Sequence, residues 1–91
     1  MIVEEFKLEG EQYEIIKKDF RKIRKEHGLI RKDKFPVFKW IGRGEFLEAR
    51  YVREFNPRTG EERLKSATLT WKGEDITHFL VDLKELVNRV S

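Results

Sequence analysis

The sequence predicts an α+β fold: an N-terminal helix, an antiparallel sheet of three to four strands, and a C-terminal helix. Three observations predict it. Apolar residues recur at helical spacing near both ends of the chain, the period falls to two through the middle, and clusters of turn residues divide that middle into strands. With 91 residues, 38% hydrophobic and 41% charged, the chain is expected to form one small domain, 1–91, around a thin core.

The first helix is read over residues 10–27. Tyr13, Ile16, Phe20, Ile23 and His27 make one stripe, and Gly28 follows where a left-handed cap is favoured. Glu9, Glu11 and Glu14 lie early and the basic residues late, which suits the helix dipole. Phe35 to Ile41 reads as a strand with Pro36 near its start, where a missing donor is tolerated. Gly42-Arg43-Gly44 is a turn, and its spacing fits no phosphate-binding loop. Phe46 to Phe55 is a long strand, Asn56-Pro57-Arg58-Thr59-Gly60 a hairpin loop, and Glu62 to Trp71 its partner. Ile2 to Leu8 alternates apolar with charged residues and offers a fourth strand. The last helix is read over 74–89, with Glu74 and Asp75 in its first turn and Ile76, Phe79, Leu80, Leu83, Leu86 or Val87, and Val90 on its apolar face.

Charge is unevenly distributed. The formal net charge is +3, but residues 1–16 carry −4, residues 17–43 carry +8 and residues 44–91 carry −1. Two clusters dominate the basic stretch: Lys17, Lys18, Arg21, Lys22, Arg24 and Lys25, then Arg31, Lys32 and Lys34. Such a field attracts polyanions, although a solvated helix face accounts for the first cluster equally simply. With no cysteine, a disulfide, a thiolate nucleophile and a zinc–thiolate site are excluded. No run approaches the roughly 20 apolar residues that span a bilayer, and the first residues do not read as a signal peptide, so a cytoplasmic protein with no membrane partner is expected. Abundant Glu, Lys and Arg suit a hot-adapted source.

On the long strands, Leu47, Ala49 and Tyr51 share one side with Ala67, Leu69 and Trp71, and these are expected to face the helices. The opposite side carries Glu48, Arg50, Val52 and Glu54 with Leu64, Ser66, Thr68 and Thr70. In the first strand of the central region, a core built from Val37 and Ile41 turns Phe38 and Trp40 outward onto that open face, where Phe46 can join them. Exposed rings flanked by Lys39, Arg43 and Arg50 make a base-stacking platform with phosphate contacts at its rim. Packing in the core or at a dimer interface is the competing explanation for Trp40.

The segments Val52-Arg53-Glu54-Phe55, and Lys65 with Thr68-Leu69-Thr70, carry a resemblance. They resemble the single-stranded-DNA-binding transcriptional coactivator family, of Whirly-like architecture, over residues 46–90. The resemblance implies a homodimer that grips single strands, with Arg53 and Lys65 on the backbone and Phe55 packing or stacking. Length, charge and the aromatic, basic sheet also resemble the small archaeal single-stranded-DNA-binding proteins of the ThermoDBP group. No catalytic constellation stands out. His27 reads as a helix-end residue and His78 as a surface group, and the adjacent pairs Glu61-Glu62 and Glu74-Asp75 do not converge.

The sequence therefore points to a non-enzymatic binder of single-stranded DNA or RNA without a cofactor or metal. Phe38, Trp40 and Phe46 would stack bases, and Lys39, Arg43, Arg50, Arg53, Arg58, Arg63 and Lys65 would hold phosphates. A homo-oligomeric protein–protein module is the alternative, with the aromatic face buried against another chain. Duplex binding through the basic helix fits less well, because that helix lacks a helix-turn-helix partner. The stacking platform requires Phe38 and Trp40 to face water beside positive groups.

Overall fold

The computed structural model describes residues 1–34 and 37–91. The element order is β1 (Ile2–Glu9), α1 (Gly10–Glu26), β2 (Ile30–Asp33), β3 (Val37–Gly42), β4 (Glu45–Phe55), β5 (Glu62–Gly73) and α2 (His78–Val90). The strands form one sheet of five in the order β1-β5-β4-β3-β2, antiparallel at every junction. The α+β class holds. The strand offered over Ile2–Leu8 is present as β1, so a strand and not the helix begins the fold, and β2 adds a fifth strand at the edge. All four β2 residues are exposed, so no apolar alternation marked it in the sequence.

The chain passes from β1 into α1 without a loop. The backbone N–H of Glu9 donates to Gln12 Oε1 at 2.8 Å, occupying an amide that would otherwise lack a partner at the helix start. Gly10 meets the β5 backbone so closely that a Cβ would collide with the Leu64 carbonyl oxygen. Tyr13, Ile16, Phe20 and Ile23 form the buried stripe, as the period-3.6 spacing requires. The helix stops at His27, and Gly28 takes φ 70°. The second helix starts later than the sequence suggests. Thr77 is its cap, its Oγ1 accepting from the Leu80 N–H at 3.1 Å, so Glu74 and Asp75 precede the helix and Ile76 is exposed.

The helices run antiparallel on one face of the sheet. Gln12 Nε2 donates to the Val90 carbonyl at 2.8 Å near one end, and His27 Nε2 lies 2.7 Å from Asp82 Oδ2 near the other. Arg89 and Asp19 pair at 2.7 Å between them. The Glu45 carboxylate accepts from Trp71 Nε1 at 2.8 Å and from Thr77 Oγ1 at 2.7 Å, tying the start of α2 to the sheet. Beneath the helices Leu47, Ala49, Ala67, Leu69 and Trp71 are fully buried, on the side expected.

β3 is turned over relative to the sequence reading. Trp40 lies opposite Leu47 and Phe38 opposite Ala49, and residues directly opposite in a ladder share a face. Both aromatics therefore lie on the helix side. Trp40 is only 6% exposed and Phe38 is half-buried. Val37, Lys39 and Ile41 take the open face with Phe46, which pairs with Ile41. The expected trio of rings is thus split between the two faces, and the open-face platform loses its basis. Phe35 and Pro36, expected at the start of this strand, lie outside the described residues. Leu64 is also displaced from its expected side. A register shift at Lys65 leaves Arg53 opposite Leu64, which packs against the core.

Paired β4 and β5 run on past both neighbours. The last β1 pair is Glu9 with Ser66, and among the described residues the β3 ladder runs to Val37 opposite Arg50. Beyond them a two-stranded arm projects, and the molecule measures 47 × 27 × 22 Å.

Candidate functional site

Between α1 and the β2–β3–β4 part of the sheet lies a groove of about 530 Å³. Helical periodicity builds one wall. Lys17, Arg21, Arg24 and Lys25 follow one another along the flank of α1 beside the buried stripe. Arg31 on β2 and Arg53 on β4 complete the basic lining, so six cations from three elements face one carboxylate, Glu14. The floor is aromatic. The Phe38 and Trp40 rings stack at 6.1 Å and 18°, while Tyr51 meets Phe38 edge-on at 5.3 Å. Phe20 of α1 meets the Trp40 ring edge-on at 6.1 Å, which is how the helix covers the indole.

Arg24 binds wall to floor. Its guanidinium carbon lies 4.1 Å from the Trp40 ring centroid and 4.4 Å from that of Phe20, a stacked cation–π arrangement. Burial, and to a lesser extent Arg21 and Arg31, lower its pKa, although so strong a base as a guanidinium stays charged. Among the described residues Arg21, Arg24, Lys25 and Arg31 have no carboxylate within salt-bridge distance. The pairs made by Lys17 with Glu14 and by Arg53 with Glu62 are both long, 3.9 Å. Beside Arg24 the hydroxyls of Tyr13 and Tyr51 lie 2.7 Å apart. Burial is the main cause raising both phenol pKa values, so both remain neutral. Two hydroxyls use one hydrogen between them, which leaves the second O–H for another acceptor.

The sequence-predicted residues fall in several places. Phe38, Trp40 and Arg53 line the groove. Lys39, Phe46 and Arg50 lie on the open face, where Arg50 sits 3.7 Å from Glu48. Arg43 is exposed in the β3–β4 turn. Phe55 and Arg58 are exposed on the arm, Lys65 occupies the register shift at its base, and Arg63 is held by Glu54 at 2.7 Å. Tyr13, Arg21, Arg24, Lys25, Arg31 and Tyr51 were absent from that set. The signal for the four cations was present in the two basic clusters on either side of the helix end, while the tyrosines stood out only as inward-facing residues.

Elsewhere, Glu26, His27 and Asp82 bring three ligand atoms within 4.8 Å of one another. The direct His27–Asp82 contact makes this a helix–helix clamp. Among the described residues no helix is long and apolar enough to cross a membrane.

The open face presents a different surface. Val3, Lys72, Phe46, Ile41 and Ile30 form one row across all five strands. Val3, Ile41 and Ile30 in that row are exposed.

Compared with known proteins, the chain matches no family model, no curated protein and no solved structure. The class it defines rests on its own geometry: two helices on one face of a five-stranded antiparallel sheet, with a basic, aromatic-floored groove beside the first helix.

Proposed function

We propose that the protein binds single-stranded nucleic acid in the groove beside α1. The observation that carries this reading is the convergence of six cations over an aromatic floor, four of them without a carboxylate partner among the described residues. Cations left unneutralised release counterions when they meet phosphates, which drives association with polyanions. Aromatic edges and faces at the floor accept unpaired bases without requiring a sequence. The cavity volume suits one or two nucleotides and not a duplex. Arg53 and Phe55 extend the same side of the sheet onto the arm and offer a continuation for the strand. Transcriptional roles and an archaeal setting, expected from the resemblance, and a heat-adapted source, expected from the composition, belong to this reading as proposals.

The test is a titration with poly-dT, poly-U and duplex DNA at two salt concentrations, followed by tryptophan fluorescence. Trp71 is fully buried, so Trp40 is the ring placed to respond. Single strands should bind more tightly than duplex, perturb the emission, and weaken with a log–log salt slope of roughly −0.7 per neutralised phosphate. Absence of binding at low salt would overturn the proposal.

A second reading has its own support. The row of Val3, Phe46, Ile41 and Ile30 on the open face, interrupted by Lys72, is the kind of surface a second copy buries, and a chain this small gains stability from association. This homodimer reading is compatible with the first, since the two use opposite faces.

A further inference from the structure

The groove concentrates charge more tightly than a track for a strand backbone needs. Arg24 is anchored by stacking on Trp40 and Phe20, so its position is fixed before a ligand arrives. Arg31 on the edge strand and Arg53 on β4 line the same cavity. The Tyr13–Tyr51 hydroxyl pair lines it too and has one hydrogen to spare. Six like charges gathered around one carboxylate, Glu14, repel one another, and the anion that best relieves this carries more than one negative charge. An internal phosphodiester carries one. A phosphate monoester carries between one and a half and two near neutral pH and offers three strong acceptor oxygens. The cavity is also compact. At about 530 Å³ it is in the range of pockets for single small molecules, whereas extended single-strand sites cover roughly 4–16 nucleotides.

We propose that this cavity holds the terminal phosphate monoester of a nucleic-acid strand, gripped by Arg24, Arg31 and Arg53 and by the spare tyrosine hydroxyl, with the terminal base against Phe38. The inference rests on the reading of the groove as a single-strand site and adds a preference for strand ends. It makes Tyr51 and Arg31 the groups that discriminate a phosphorylated end from a hydroxyl end.

The experiment measures anisotropy of an internally labelled dT oligomer in three forms: 5′-phosphate, 3′-phosphate and hydroxyl at both ends. At pH 7.5 one phosphorylated form should bind about tenfold more tightly than the hydroxyl form, and the comparison identifies which end is held. The advantage should shrink as pH falls below about 6, where the monoester dianion takes up one proton and becomes a monoanion. Arg31→Gln and Tyr51→Phe, which keeps the ring, should each weaken the phosphorylated form severalfold more than the hydroxyl form and so cut the preference. Equal affinity for all three forms overturns the inference and leaves the single-strand reading intact. No binding by any form overturns both. Thymidine 5′-monophosphate competing as well as the phosphorylated oligomer would assign the cavity to free nucleotides and overturn the assignment to a strand end.

Discussion

The two faces of the sheet draw on similar residues and use them in opposite ways. On the helix side, aromatic rings are covered and, among the described residues, Arg21, Arg24 and Arg31 beside them have no carboxylate partner; Trp40, Phe38, Tyr51 and Arg24 form one assembly. On the open side, Phe46, Ile41, Ile30 and Val3 are left without helices above them, and charges alternate across the strands. In the row of Glu5, Thr70, Glu48, Lys39 and Asp33, acids and a base sit close together. The contrast lies in where the cations converge, not in how many basic residues each face carries. What distinguishes the groove is that its cations come from three elements and converge where few acids reach.

The largest expected difference between the faces is in stability. Trp40→Ala should cost about 3–5 kcal/mol in urea unfolding, because it empties a buried position beneath Phe20 and Arg24. Phe46→Ala, on the opposite face, should cost less than about 1.5 kcal/mol in a monomer. Similar costs for the two would mean that Phe46 is also covered, and sedimentation of the wild type would then reveal the second copy. Next in size is binding. Replacing Arg21, Lys25 and Arg31 together with Gln should weaken a single strand about a hundredfold near 0.1 M salt and flatten the salt slope by about 2, since three phosphate contacts are lost. The same treatment of Lys7, Lys39 and Arg50 should change affinity less than about threefold; an equal loss would move the site to the open face.

The smallest expected effect is alkaline. Both tyrosines of the chain lie on the groove side, with phenol pKa values raised chiefly by burial. A group favoured in its neutral form by folding contributes fully below its unfolded pKa of about 10 and loses that contribution as pH rises past it. Absorbance at 295 nm should therefore show no phenolate near pH 10 until the protein unfolds, and Tyr13→Phe should be less sensitive to base. Phenolate appearing at its ordinary pH in the folded protein would place these rings in water.

Much of the fold was legible because periodicity reports burial. Tyr13, Ile16, Phe20 and Ile23 gave α1 almost to the residue, and Leu47, Ala49, Ala67, Leu69 and Trp71 gave the inner side of the long hairpin. The failure at β3 came from choosing its face by Val37 and Ile41 alone. Pairing outward from the Arg43-Gly44 turn sets Trp40 opposite Leu47, and a core residue on one strand commits its neighbour. That same register, once known, moves the rings next to the basic helix. β2 was illegible for another reason: an exposed edge strand has nothing to bury on either face, so Ile30–Asp33 carries no alternation. The Leu64 displacement depended on a shift at Lys65, and an extra residue in one strand leaves little trace in composition.

The projecting hairpin gives the molecule a part with different mechanics from its body. Past Arg53 and Leu64, among the described residues, the two strands have only each other, and a lone pair of strands is marginally stable in water. The Arg63–Glu54 contact and the short bonds of the Asn56–Glu61 turn hold it together, with no packed layer beneath its tip. Amide protons there should exchange ahead of those in the body, at a free energy far below that of global unfolding. A segment that costs so little to reshape can follow the contour of whatever lies along the groove, while the rings and guanidinium at its root stay in register.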